Sequence, residues 1–178
     1  MANRNKIIPF IKSAEGGWSN NSLDKGGETN KGITYSVWIK HFGADAHDRF
    51  MAMSNEDWGI IFYNEYWNKI LGDKINSQRI ANMIVDWVWN CGTYFPEKDI
   101  QIILVEIFEK HIVEDGVFGQ ATIDAINQSD EAMEYQHIID RRLEYYQQIV
   151  DATPSQSIFL KGWQTRVFNL QKFELDNQ

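Results

Sequence analysis

The sequence predicts an all-α chain, mainly helical, with a short irregular β-hairpin or turn region near residues 18–34. Three observations carry that prediction. Apolar residues recur at helical spacing along most of the 178 residues. Capping residues stand where those runs begin, and glycines or a proline stand where they stop. Five of the twelve glycines (Gly16, Gly17, Gly26, Gly27 and Gly32) crowd into one early stretch and interrupt the period.

In chain order, Ile7, Ile8, Ile11 and Ala14 form an apolar stripe that stops at Gly16-Gly17. Pro9 sits near the first turn or kinks this helix. Residues 18–34 are rich in Gly, Asn and Asp and have no helical period, which predicts turns or a hairpin. Thr34 can cap a helix through about Phe42. Ser54 and Asp57 form a capping-box-like start for a helix over about 55–70. Its rings Trp58, Phe62, Tyr63, Tyr66 and Trp67 fall at helical spacing. Ser77 starts a helix containing Ile80, Met83, Ile84, Trp87 and Val88 and ending at Gly92. An amphipathic run covers about 97–110. Asp115-Gly116 and Gly119 mark a turn before a short helix at about 120–127. Asp130 caps a long helix to about 150, Thr153-Pro154-Ser155 breaks it, and a last helix covers about 156–173. With no linker, low-complexity tract or solenoid repeat, helices of both halves are expected to share one core.

Hydrophobic residues make up 43% and charged residues 24% of the chain, which excludes a disordered polymer. No apolar run approaches the ~18–20 residues needed to cross a bilayer, so stable membrane insertion is not expected. The start is too weakly apolar for a secretory signal. Synthesis in the cytoplasm without a signal peptide is therefore expected, with another exit route for work outside. The single cysteine, Cys91, excludes an internal disulfide and reads as an inert small hydrophobe. The four histidines show no HExxH spacing, and neither a metal nor a cofactor is expected. The net charge of −8 arises in residues 95–178, where seven Lys/Arg face fifteen Asp/Glu; residues 1–94 hold ten of each. That balance argues against a nucleic-acid partner. Arg4, Lys6, Lys12, Lys25 and Lys31 make a local positive patch that can face an anionic ligand.

The chemistry points to the glycine-dense stretch. Glu15 ends the first helix, the chain leaves through Gly16-Gly17, and Asp24 and Thr29 follow nine and fourteen residues on. A returning hairpin can bring a second carboxylate and a hydroxyl across a cleft from Glu15. Two opposed carboxyls suit glycosidic cleavage: one protonates the leaving oxygen, and the other orients water or supports the oxocarbenium charge. Glu28 competes with Asp24 for the second position. Read singly, Glu15 is also an ordinary helix-terminal carboxylate, and Asp24 and Thr29 are ordinary turn formers. Trp18, Tyr66 and Trp67 are the rings expected to wall Glu15. Asp86, on an otherwise apolar helix, is either a buried hydrogen-bonded group or a cleft residue. Trp163 and Arg166 read as packing residues of the last helix.

The segment EGGWSNNSLDKGGETNKGIT (Glu15–Thr34) resembles the signature of glycoside hydrolase family 108: E-G-G-aromatic, then D-x-G-G-x-T-x-x-G-I-T. YNEYWNKI resembles the family's Y-x-x-x-Y-W element, and DWVWNCG its D-x-x-x-N-x-G helix. EDGVFGQATIDAI and FLKGWQTRV resemble the D-G-x-x-G-x-x-T segment and closing G-W-x-x-R of the associated predicted peptidoglycan-binding region. The matches are ordered and run over about 15–167. Position 18 is Trp where Tyr is commoner.

The resemblance implies a lysozyme-like fold, with a catalytic muramidase region at 1–92 and a helical predicted peptidoglycan-binding region at 93–178, packed as one compact unit. It implies an N-acetylmuramidase of the kind also named secretion activator protein, acting on peptidoglycan glycan strands. Glu15 is then the catalytic acid, with Asp24 and Thr29 as partners that hold the hydrolytic water. Trp18, Asn30, Tyr66, Trp67 and Asn90 are the expected substrate-binding residues. The protein would act on the cell wall after release, helped by a holin or a secretion system. Two rivals remain at this level: a non-catalytic wall-binding or secretion-accessory protein, and a hydrolase of another amino-sugar glycan.

Overall fold

A computed structural model describes residues 1–19, 27–44 and 46–177. Its elements are α1 (Arg4–Ala14), β1 (Thr29–Asn30), β2 (Ile33–Thr34), α2 (Tyr35–Phe42), α3 (His47–Met51), α4 (Asn55–Phe62), α5 (Gln78–Cys91), α6 (Tyr94–Glu106), α7 (Gln120–Gln128), α8 (Glu131–Ala152) and α9 (Ser157–Asp176). The fold is all-α with one two-stranded antiparallel sheet, as the sequence predicts.

The helix starts are set by side-chain caps. Thr34, Ser54, Ser77 and Asp130 each accept a hydrogen bond from the backbone N–H three residues on. Ser54 and Asp57 close a full capping box. The hairpin turns through Lys31 (φ 49°) and Gly32 (φ 79°), the left-handed pair that a tight two-residue turn needs. Ser19 pairs with Thr29 on the outer edge.

Helix α5 is the central post. Ten consecutive residues from Ile80 to Trp89 are buried, which is the mark of a helix covered all round. It packs against α1, α6, α8 and α9, so residues from both halves share one core.

Three details differ from expectation. The stripe of α1 that faces inward is Ile7, Phe10 and Ile11, while Ala14 is exposed at the helix end. The helix from Asn55 stops at Phe62 and continues as a π-helical turn, Tyr63–Trp67. That turn swings Trp67 into the core, where its Nε1 donates to Asp73 Oδ1 at 2.8 Å. Its ring fits only because position 72 is glycine: a Cβ there would lie 2.5 Å from Trp67 Cε2. Third, α3 is a short helix that the sequence does not signal, since Ala46 supplies no side-chain cap.

Candidate active site

Glu15 is the C-cap of α1, where the chain turns extended (φ −95°, ψ 137°) and exits over the hairpin. Its Oε1 is held twice. Trp89 Nε1 donates to it at 2.8 Å, and Arg166 Nη1 donates at 3.0 Å. Oε2 lies against the hairpin turn: a Cβ on Gly32 would sit 2.5 Å from it and 2.7 Å from the Trp89 ring. Gly32 thus serves two needs, a positive φ and room for the acid.

Arg166 reaches Glu15 from α9, 151 residues away in sequence. Its other face grips Asp86 of α5, with Nε at 3.0 Å and Nη2 at 2.9 Å from Oδ1. Asp86 is fully buried and is closed on its other oxygen by Arg142 Nη2 at 2.7 Å. Burial works against the charge on Arg166, but Asp86 and then Glu15 outweigh it and keep the guanidinium charged. The chain Arg142–Asp86–Arg166–Glu15 ties the carboxyl to the centre of the core. It satisfies the polar groups that burial would otherwise leave costly.

Aromatic rings complete the wall. Tyr66 lies 4.5 Å from Trp89, centroid to centroid, at the end of a run through Trp58 and Phe62. Burial, then the negative charges of Glu65 and Glu15, push the Tyr66 phenol up to about 12, so it remains a hydroxyl donor. Trp18 is half exposed, and its Nε1 donates to Glu28 Oε1 at 2.8 Å. His47 Nε2 meets both oxygens of Glu28 at 3.0 Å. Glu28 is therefore engaged as the clasp between Trp18 and α3. Thr29 lies on β1, with its hydroxyl donating to the Gly27 carbonyl at 3.2 Å.

Two expected substrate contacts are corrected here. Trp67 has no exposed surface and belongs to the core. Asn30 is buried, and its amide donates to the carbonyls of Phe50 (2.7 Å) and Met51 (3.2 Å), so it fastens the hairpin to α3. The ring on Glu15 is Trp89 rather than Trp67. Asn90 is exposed; its amide donates to the Asp86 carbonyl at 2.8 Å and borders an open groove along α9. Asp24 lies outside the described residues, as does Lys25. The positive patch is partly spent on structure: Lys31 Nζ donates to the Met53 carbonyl at 2.6 Å, and Lys12 sits over Trp58 with its Nζ donating to Asn55. Trp89 and Arg166 are the side chains on Glu15 that sequence reasoning did not place there. The signal for Arg166 was its place in FLKGWQTRV, read there as packing. No group of three or more His, Cys, Asp or Glu among the described residues is arranged to hold a metal ion.

Residues 8–92 match the model of the family Glycosyl hydrolase 108, and residues 98–168 match Predicted Peptidoglycan domain. Residues 8–92 are a glycoside hydrolase family 108 region. Among solved structures it is similar to Brucella abortus SagA, with 25% identity and a TM-score of 0.79 over 97% of this chain and 93% of that one. No curated protein matches the chain. The two matched regions together make it a peptidoglycan-related glycoside hydrolase. No helix among the described residues is long and apolar enough to cross a membrane.

Proposed function

We propose that the chain is an N-acetylmuramidase that cleaves the β-1,4 bond between N-acetylmuramic acid and N-acetylglucosamine, with Glu15 as the general acid. One observation carries this reading: Oε1 of Glu15 is saturated by Trp89 and Arg166, which leaves Oε2 as the oxygen that can carry a proton toward a bound glycan. Glu15 gives that proton to the glycosidic oxygen as the bond to C1 breaks. The carboxylate left behind is met at once by the Arg166 guanidinium, 3.0 Å away, with no rearrangement of the site. Water adds its hydroxyl to C1, and its proton passes to the partner carboxylate. Asp24, helped by Thr29, fills that role in this reading. Trp18, Tyr66 and Asn90 line the glycan path, with the exposed face of Trp18 suited to stacking on a sugar ring.

Residues 1–92 serve here as the catalytic region and 93–178 as the wall-engaging region, with Arg166 as the link from the second into the first. Action after release from the cytoplasm, through a holin or a dedicated secretion system, fits this assignment.

The deciding experiment is Glu15→Gln on purified peptidoglycan, with circular dichroism recorded alongside. Loss of about 10²–10⁴-fold in reducing-end release, with an unchanged spectrum, is expected. An amide variant that digests the polymer at the wild-type rate sinks the assignment. Products ending in reducing N-acetylmuramic acid separate it from a hydrolase of another amino-sugar glycan.

A further inference from the structure

An open groove of about 950 Å³ runs between the C-terminal end of α1 and the outer face of α9. It begins at the site, because Arg166 and Ala14 both line it. The α9 wall is a stripe at three- and four-residue spacing: Lys161, Thr165, Asn169, Lys172 and Asp176. The α1 wall is Phe10, Ser13 and Ala14, and Phe173 of α9 meets Phe10 across the groove with ring centroids 5.4 Å apart. Trp163 closes one end and is fixed against Tyr146 at 5.4 Å.

The charge here runs against that of its surroundings. Residues 95–178 are strongly acidic. Yet three of their seven cations, Lys161, Arg166 and Lys172, line this one groove, against a single lining carboxylate, Asp176. Arg166 is occupied by Glu15 and Asp86. Lys161 and Lys172 are exposed and make no ion pair among the described residues. At 1.5 Å per residue they stand about 8 Å and about 9 Å from Arg166 along the helix, on either side. Three extended peptide residues span about 10 Å. A groove that mixes amide and hydroxyl groups with rings, and holds ammonium groups within that reach, suits a short peptide bearing carboxylates. A muramic acid held at Glu15 carries such a peptide on its lactyl group.

We propose that this groove binds the peptide stem of the muramic acid whose bond is cleaved, with Lys161 and Lys172 holding the stem carboxylates. The proposal rests on the muramidase reading for its position next to the cleaved bond, but its binding arm is separate from catalysis.

Soluble glycan fragments from one sacculus preparation are used in three forms: with stems, with stems removed by an amidase, and with stem carboxylates converted to amides. The wild type is expected to prefer the first. In Lys161→Gln/Lys172→Gln the ratio of kcat/KM for stem-bearing over stem-free glycan falls about tenfold, the size of two exposed charge pairs. Lys40→Gln, which removes an exposed charge on α2 away from the groove, leaves the ratio unchanged. An equal fall with Lys40→Gln marks diffuse steering and overturns the proposal. So does an undiminished preference for amidated stems, or a double variant with the wild-type ratio. If no form is cleaved, the muramidase reading has failed. Titration of Glu15→Gln protein with stem-bearing and amidated fragments then decides the groove: equal affinity for both overturns it, and weaker binding of the amidated form supports it.

Discussion

At the scale of single residues, the site depends on how Glu15 is held. Arg166 spans two carboxylates with one planar fork, which a lysine cannot do. Arg166→Lys is therefore expected to keep the fold and lower kcat about 10–100-fold with little change in KM, the loss of one preorganised donor. Added guanidinium should restore part of the rate in Arg166→Ala. A lysine variant with wild-type kcat would show that the ion pair is only structural. Gly32 offers a second probe. Its φ of 79° already disfavours a side chain, and a Cβ would press on Oε2 of Glu15 and on Trp89. Gly32→Ala should cost about 1 kcal/mol or more. It should also shift Trp89 fluorescence and lower activity at least as much as Arg166→Lys. Normal activity in a folded alanine variant would place the proton donor elsewhere. Asp86 is the deepest member of the chain of ions, and Asp86→Ala leaves two guanidinium groups short of a partner. A loss of about 3–5 kcal/mol on chemical denaturation is expected.

At the scale of elements, stability starts at the caps. Ser54→Ala removes the side-chain half of the α4 capping box, the hydroxyl that accepts from the Asp57 N–H, and should cost about 1 kcal/mol in denaturant titration. A neutral result would mean that packing of Trp58 and Phe62 alone fixes that helix. The caps were legible in the sequence because a Ser, Thr or Asp and its N3 partner lie within four residues of each other. The hairpin was legible for a similar local reason, the glycine that a left-handed turn demands. Helix α3 was not, since nothing in GADAHDRF marks a start. The π-helical turn was hidden too: only the tertiary fit of Trp67 against Gly72 and Asp73 explains why the helix widens there. The same logic divides the site. Glu15 stands out as a candidate from its own segment. Its partner on α9 was not, because an ion pair spanning 151 positions leaves no local pattern. Trp67 looked like a cleft ring and proves to be core, since ring spacing on a helix cannot say which side faces solvent; Asn30 is buried because its amide is taken by carbonyls of α3, a contact twenty residues away that leaves no local pattern.

At the scale of the whole molecule, three carboxyls are buried in the acidic half, and they set how stability responds to pH. Burial pushes Glu134 up to about 8, with Lys110 offsetting part of the effect, and both its oxygens lack a partner among the described residues. Burial likewise pushes Glu97 and Glu174 up to about 7; Glu97 accepts from the Phe118 N–H, and Glu174 accepts from the Tyr135 hydroxyl. Unfolded, each releases its proton near the ordinary value of 4.5. Between about 4.5 and 8 the folded chain therefore holds protons that the unfolded chain gives up, so raising the pH favours unfolding. Other groups act at the acid end. Burial of Asp57 is outweighed by its bonds to Arg49 and Ser54, and bonds from Ser77 and Arg79 outweigh burial at Glu131, so both carboxyls are held below their usual values. Their contribution is present above the ordinary carboxylate range and fades as pH falls below it. Maximal stability is thus expected near pH 5, with Tm falling steadily toward pH 8. Glu134→Gln carries no titrating proton at this position. It should match the wild type near pH 5 and exceed it at pH 8 by a few kcal/mol, at about 1.4 kcal/mol for each unit of displaced pKa. Parallel Tm–pH curves for the two proteins would mean that Glu134 is ionised and solvated in the folded chain, and that the acidic half is built around water at that point.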